Sequence, residues 1–409
     1  MKKLFRLPVA AAMIIALGFS SCSSDDSNPV DPTNEIINDN NEIVKDVDQD
    51  VTLMAGETYF INRGIHVTED ASLTIEEGVT IKNGESSYLL VEQGSKIFIK
   101  GSAGKEVVFT VNTQEAKPGA WGGLIVNGQA PINVDGGTAT AEVGDAIYGG
   151  QINDDNSGSI EYAVFKYGGN QINSEKEHNG VTLNGVGSGT KLDHIAVYNA
   201  SDDAFEWFGG TVNATNLFAY GSQDDIFDWT YGWTGSVENI YGEHNSAINN
   251  GENDRGIEAD NNGSNFQALP LSKPMITNLT LVDKDNVGSN GLKLRAGTAF
   301  DLTNVVIEGF GKVADGAATK SIIDVETLES IGHIEDATSS IEKLKYMAAN
   351  GTELTYSVKA GSGQEDATDA QIEAVKGFFG AGLDASATGA PQALVTWGKS
   401  VAVGDSDAK

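Results

Sequence analysis

Ser201-Asp202-Asp203-Ala204-Phe205-Glu206-Trp207 is followed 22 residues later by Gln223-Asp224-Asp225-Ile226-Phe227-Asp228-Trp229. Looser copies follow at Asn253-Asp254-Arg255-Gly256-Ile257-Glu258-Ala259 and Ser289-Asn290-Gly291-Leu292-Lys293-Leu294. A second phrase keeps step with the first: His194-Ile195-Ala196-Val197, Asn216-Leu217-Phe218-Ala219, Asn239-Ile240-Tyr241, Asn278-Leu279-Thr280-Leu281 and Asn304-Val305-Val306-Ile307. A period near twenty, made of short apolar runs broken by Gly, Asn and Asp, predicts stacked coils of a β-solenoid.

Stacking turns a sequence alignment into a spatial one. Equivalent residues of neighbouring coils lie about 4.8 Å apart, the ladder spacing of paired strands. Strand alternation then sends Phe205/Trp207, Phe227/Trp229, Ile257/Ala259 and Leu292/Leu294 inward. Glu206, Asp228, Glu258 and Lys293 form one outward column, with Asp202, Asp224 and Asp254 beside it. Asn216, Asn239, Asn278 and Asn304 form a third column at a turn, where stacked amides bond one another and tolerate left-handed backbone.

Towards the N-terminus, Lys2, Lys3 and Arg6 precede an apolar run from Leu7 to Phe19. The run is too short for a spanning helix and reads as a signal peptide over residues 1–21. Cys22, the single cysteine of the chain, follows at the position where a lipoprotein is cleaved and acylated, so no intrachain disulfide forms. Residues 22–49 are polar and acidic, opening Ser23-Ser24-Asp25-Asp26-Ser27-Asn28-Pro29, and are expected to form a disordered tether. The tract resembles the acidic export tag of surface lipoproteins of Bacteroidota, which implies an outer-membrane protein facing outward and held by lipid on Cys22.

The formal charge is −32, and the signal peptide carries three basic residues and no acidic one, so the mature chain is more acidic still. Nucleic acid is excluded as a partner on that ground. Short β runs continue from Val51-Thr52-Leu53 through Val107-Val108-Phe109, then Trp121-Gly122-Gly123-Leu124 and Ser159-Ile160-Glu161-Tyr162. The 49 glycines and 8 prolines suit many tight turns. Residues 315–350 lose the alternation. Asp369–Lys376 reads as a short capped helix with Ile372, Val375 and Phe379 on one face. The expected organisation is therefore all-β: a parallel β-helix over 50–312 and a small mixed or helical cap over 313–409.

The Trp121-Gly122-Gly123 turn and the Asp-Asp coils make residues 50–312 resemble right-handed parallel β-helix proteins of the pectin lyase-like superfamily. The four coils are also similar to those of polygalacturonases, which implies Asp202, Asp224, Asp225, Lys293 and Arg295 as catalytic candidates. The third coil departs from that pattern, since Asp254-Arg255-Gly256 stands where a histidine is expected, and His244 lies before the turn. A lyase of this superfamily would use calcium and an Arg base, for which Arg255 and Arg295 are the candidates.

Like charges stacked about 5 Å apart repel unless a cation, a shared proton or Lys293 relieves them. Asp202, Asp224, Asp228 and Glu258 are hard oxygen donors suited to calcium. Asp203 and Asp225, just before their strands, equally suit backbone capping. Glu206, Asp228 and Glu258, with Tyr231 and Trp233 of the Gly-flanked turn as sugar-stacking faces, make up the expected ligand site. Three functions follow: a surface lipoprotein binding a glycan or another extracellular ligand, with or without calcium, a polysaccharide hydrolase or lyase, or a structural adhesin.

Overall fold

The computed structural model describes residues 36–113, 116–143, 145–171, 177–248, 255–285, 290–311, 321–347 and 353–402. The signal peptide, Cys22 and Asp254 lie outside them. Successive coils each add a strand to one or both of two long parallel sheets, of thirteen and ten strands. Among the described residues the one antiparallel strand pair is a small hairpin, Ala139–Thr140 with Ile147–Tyr148.

The stacking follows from alternation. Val51, Leu73 and Ile97 fall in one register, and Leu53, Ile75 and Ile99 in another, all buried. Aromatic residues fill the wider middle coils, with Phe109 on Phe165 at 4.7 Å and Phe205 on Phe227 at 5.8 Å. Removing such a continuous apolar stack from water drives the fold, since no single coil buries its own face.

The sheets change character part-way. Early coils use two short strands, such as Lys96–Lys100 and Val107–Val111, where later ones use one long strand. Gly158–Lys166 joins the two patterns by pairing with both. A left-handed residue bends each long strand: Tyr162, His194, Asn216, Asn239, Asn278, Asn304 and Lys343 all have φ between 50° and 67°. This is the expected asparagine column, and its amides do bond in series. Asn239 Nδ2 donates to Asn216 Oδ1 at 3.0 Å, Asn278 to Asn239 at 2.8 Å and Asn304 to Asn278 at 2.6 Å. Asp193 accepts from Asn216 at one end, and the backbone N–H groups of Thr388 and Gly389 donate to Asn304 at the other.

Both expected boundaries move outward. Of the tether expected over 22–49, residues 22–35 lie outside the described residues and 36–49 are folded instead, because Ile36, Ile43 and Val47 are buried and Glu42 and Val47 bridge to Phe60 and Val67. At the other end, Ile323–Glu326, Ser340–Met347 and Tyr356–Lys359 continue the two sheets beyond residue 312. Helix α1 (Leu328–Glu335) sits in the turn between the first two of these strands.

Helix α2 (Asp369–Gly382) is the expected capped helix, with a Thr368/Gln371 capping box. Its buried Val375 and Phe379 close the last coils, Phe379 lying 6.3 Å from both Phe300 and Tyr356. Helix α3 (Gln392–Val401) instead lies along the outside of the larger sheet, packed on Val164, Ala196, Phe218 and Tyr241. Gly398 is required there: a Cβ would overlap the Phe218 ring.

Candidate functional site

The smaller sheet carries the acidic face. Its register places Thr182, Glu206, Asp228, Glu258, Lys293 and Asp324 in one outward column. Their neighbours Phe205, Trp207, Phe227, Trp229, Ile257, Ala259, Leu292 and Leu294 are buried, as alternation requires.

Charge is divided unevenly along this column. In its later coils every acid has a cation. Arg255 lies 2.9 Å from both Asp225 and Glu258. Arg295 contacts Glu258 at 2.8 Å and Asp260 at 2.7 Å. Lys293, 7% exposed, bonds Asp324 at 2.8 Å and Glu326 at 2.9 Å. In the earlier coils no Lys or Arg among the described residues pairs with Asp202, Asp203, Glu206 or Asp228.

These earlier acids surround an open concavity of about 370 Å³, lined by Glu142, Glu177, Asp202, Asp203, Glu206, Phe208, Asp224 and Asp228. Carboxylate oxygens come within 4.8 Å of one another in three groups: Asp202/Asp203/Asp224, Asp203/Glu206/Asp228 and Asp225/Asp228/Glu258. Asn179 donates to Glu206 at 2.5 Å, whereas Oδ1 of Asp228 is buried with no hydrogen-bond partner. Burial, followed by mutual repulsion, holds the carboxyls of Asp202, Asp203, Glu206 and Asp228 well above the usual range, and burial also raises Asp225 against the opposing pull of its ion pair with Arg255. Burial also raises Glu258 and Asp260, against the opposing pull of Arg255 and Arg295 on the first and Arg295 on the second.

Raised carboxyls have a sign that can be tested. The folded chain binds more protons than the unfolded chain above the ordinary carboxyl values of 3.8 and 4.5, so their contribution to stability falls as pH rises. Carboxyls lowered by surface partners, such as Asp50 and Glu77, lose their contribution only below that window. With chelator present, the melting temperature is therefore expected to drop between pH 5 and pH 8, and a divalent cation to narrow the drop. A melting temperature that rose over this interval would contradict the arrangement.

The expected site residues fare differently. Glu206, Asp228 and Asp202 meet at the concavity, and Asp224 lines it. Asp203 and Asp225 are backbone caps: Asp225 N–H donates to Asp203 Oδ1 at 2.9 Å, and Arg255 N–H to Asp225 Oδ1 at 3.0 Å. Asp225, Lys293 and Arg295 are all held in ion pairs, so the structure does not bring the catalytic candidates Asp202, Asp224, Asp225, Lys293 and Arg295 together as one free set. His244 is buried, with its ring 5.3 Å from Phe310, rather than facing the groove.

Tyr231 is half-buried beside Phe208, with ring centroids 5.8 Å apart, and the pair borders the acids. Trp233 corrects the expectation of a binding face, since it is 0% exposed and stacks on Trp207 at 4.5 Å. Phe208 and Asp260 were legible two residues beyond Glu206 and Glu258 on the same face. Glu142 and Glu177 were not, because they come from segments between coils that no repeat column aligns.

A parallel β-helix with one acid-lined sheet face is thus the class of protein that fold and site define. The chain belongs to the pectate-lyase-like β-helix domain family, whose model matches residues 45–400. No curated protein and no solved structure matches the chain.

Proposed function

We propose that this protein binds a glycan on the acidic face of its β-helix, with calcium held by the carboxylates of the earlier coils. The observation that carries the reading is the group Asp203, Glu206 and Asp228. Their oxygens lie within 4.8 Å of one another, no basic side chain among the described residues neutralises them, and one Asp228 oxygen is buried without a partner. Calcium takes six to eight oxygens at about 2.3–2.6 Å, so oxygens on opposite sides of the ion stand about 5 Å apart. The Phe208/Tyr231 pair adds the apolar faces on which a sugar ring stacks.

Placement at the outer membrane, anchored by lipid on Cys22 and facing outward, is part of the same proposal and rests on the N-terminal sequence. Among the described residues no helix is long and apolar enough to cross a membrane.

The second reading, a polysaccharide hydrolase or lyase, draws on the family description. Against it stand the ion pairs that occupy Lys293, Arg255 and Arg295. The test is calorimetry of calcium binding to the protein, repeated with Glu206, Asp228 and Glu258 changed to Ala, followed by a screen of acidic and neutral polysaccharides. Binding that disappears in the variant, with no new reducing ends or unsaturated products, is the expected result. Product formation lost in the variant would establish the enzyme instead. Silence in both assays would leave a structural adhesin.

A further inference from the structure

We propose that the acidic face holds two divalent cations sharing Asp203 as a bridging ligand, and that Arg255 fills the next position in the row. This inference rests on the cation reading above.

The three carboxylate groups are not equivalent. Asp202/Asp203/Asp224 and Asp203/Glu206/Asp228 lie side by side between the same two coils, and Asp203 belongs to both. Asp225/Asp228/Glu258 lies one coil further on, and there a cation is already built into the chain. The Arg255 guanidinium reaches Asp225 and Glu258 at 2.9 Å and lies 3.8 Å from Asp224. Arg255 follows Asp203 and Asp225 in the same coil register, since Ile257, two residues on, pairs with Phe227 and Phe227 with Phe205, which stand two residues beyond Asp225 and Asp203. The repeat thus writes two carboxylates and then a guanidinium in one column.

Asp203 is built for a shared role. It is 5% exposed, its Oδ1 is fixed by the Asp225 N–H, and among the described residues no donor reaches its Oδ2. The neighbouring Oδ1 of Asp228 is buried and unpartnered. That one buried oxygen without a donor, in the acid-lined concavity that Asp203 shares, is the feature that backbone capping leaves unexplained.

Charge points past a single ion. Glu142, Glu177, Asp202, Asp203, Glu206, Asp224 and Asp228 line the concavity, so one divalent cation offsets two of seven carboxylates and two offset four, with Arg255 near through Asp224. Two ions sharing carboxylate ligands at about 3.5–4 Å separation is established geometry for oxygen-rich sites.

The experiment counts calcium bound per chain in the lipidated or signal-free full chain, by native mass spectrometry and calorimetry. Two ions are expected. Asp224→Asn is expected to leave one, Glu206→Gln to leave the other, and Asp203→Asn to weaken both by about a thousandfold or more, the effect of removing one unit charge about 4 Å away at an effective dielectric near 20. Asp203→Asn keeps the oxygen that accepts from Asp225, so its melting temperature reports whether the cap survives. A wild-type count of one overturns the two-ion inference while the cation reading stands. A count of zero overturns both. A pair of ions of which Asp203→Asn weakens only one overturns the bridge alone. The wild-type count needs no variant, so a misfolded substitution cannot shelter the proposal.

Discussion

Trp233→Ala is expected to lower stability by about 3–5 kcal/mol, the range for removing a buried large aromatic, while leaving the ligand face in place. The indole is wholly buried, lies 4.5 Å from the Trp207 ring and 5.9 Å from the Trp229 ring, and donates its Nε1–H to the Val212 carbonyl at 3.1 Å. Truncation would leave a cavity between two coils and an unpaired carbonyl, and neither neighbouring tryptophan can move without disturbing the next coil. Tyr231→Ala should do the opposite. Its ring is half-buried against Phe208 at the edge of the acids, so its loss should cost little stability and weaken any glycan that stacks there. Denaturant midpoints and a binding isotherm on both variants separate the two roles. If Trp233→Ala unfolded like the wild type but lost ligand, the inward placement would be wrong.

That contrast marks what the sequence can and cannot tell. Thr230-Tyr231-Gly232-Trp233 reads as one exposed aromatic turn, yet Tyr231 at φ 53° and Gly232 at φ 84° reverse the chain so sharply that its two aromatics leave on opposite sides. Register was legible wherever the copies kept their period, which is why Glu206, Asp228, Glu258 and Lys293 fall in the expected column. It was lost where insertions break the count, and so Ile323–Glu326 and Ser340–Met347 escaped notice although they pair in register with the coils before them. The segment from Ile36 to Val47 escaped for another reason. Its few apolar residues do not alternate, and they are buried by closing the first coil rather than by forming a strand of their own. Columns also say nothing about reach. A guanidinium or ammonium extends far enough to serve a neighbouring coil, so Lys293 relieves Asp324 and Glu326 rather than Glu258, and it is Arg255 and Arg295 that neutralise Glu258.

Arg255→Met is expected to be the most damaging single change on the acidic face, costing about 3–5 kcal/mol, as when one partner of a buried ion pair is removed. Asp225 is 1% exposed and would retain only the backbone N–H of residue 255 as a donor. Glu258, 7% exposed, would keep Arg295 at 2.8 Å, so the larger share of the cost should come from Asp225. Two consequences distinguish this from a packing defect. The stranded carboxylates can escape by taking up protons, so the loss should be smaller at pH 5 than at pH 8, whereas a cavity would cost the same at both. Adding Asp225→Asn should also recover part of the stability, because it removes the buried charge that the first change exposed. Arg255→Lys should recover less than its charge suggests, since one ammonium does not reproduce the planar fork that meets Asp225 and Glu258 at once. Calcium should restore stability to Arg255→Met more than to the wild type, because the vacated group Asp225/Asp228/Glu258 has the oxygen spacing of the two groups beside it. Melting curves of the single and double variants at both pH values, with chelator and with calcium, test all of this together. A penalty independent of pH, unchanged by Asp225→Asn and by calcium, would mean that Arg255 acts through its packing and not as the chain's own cation.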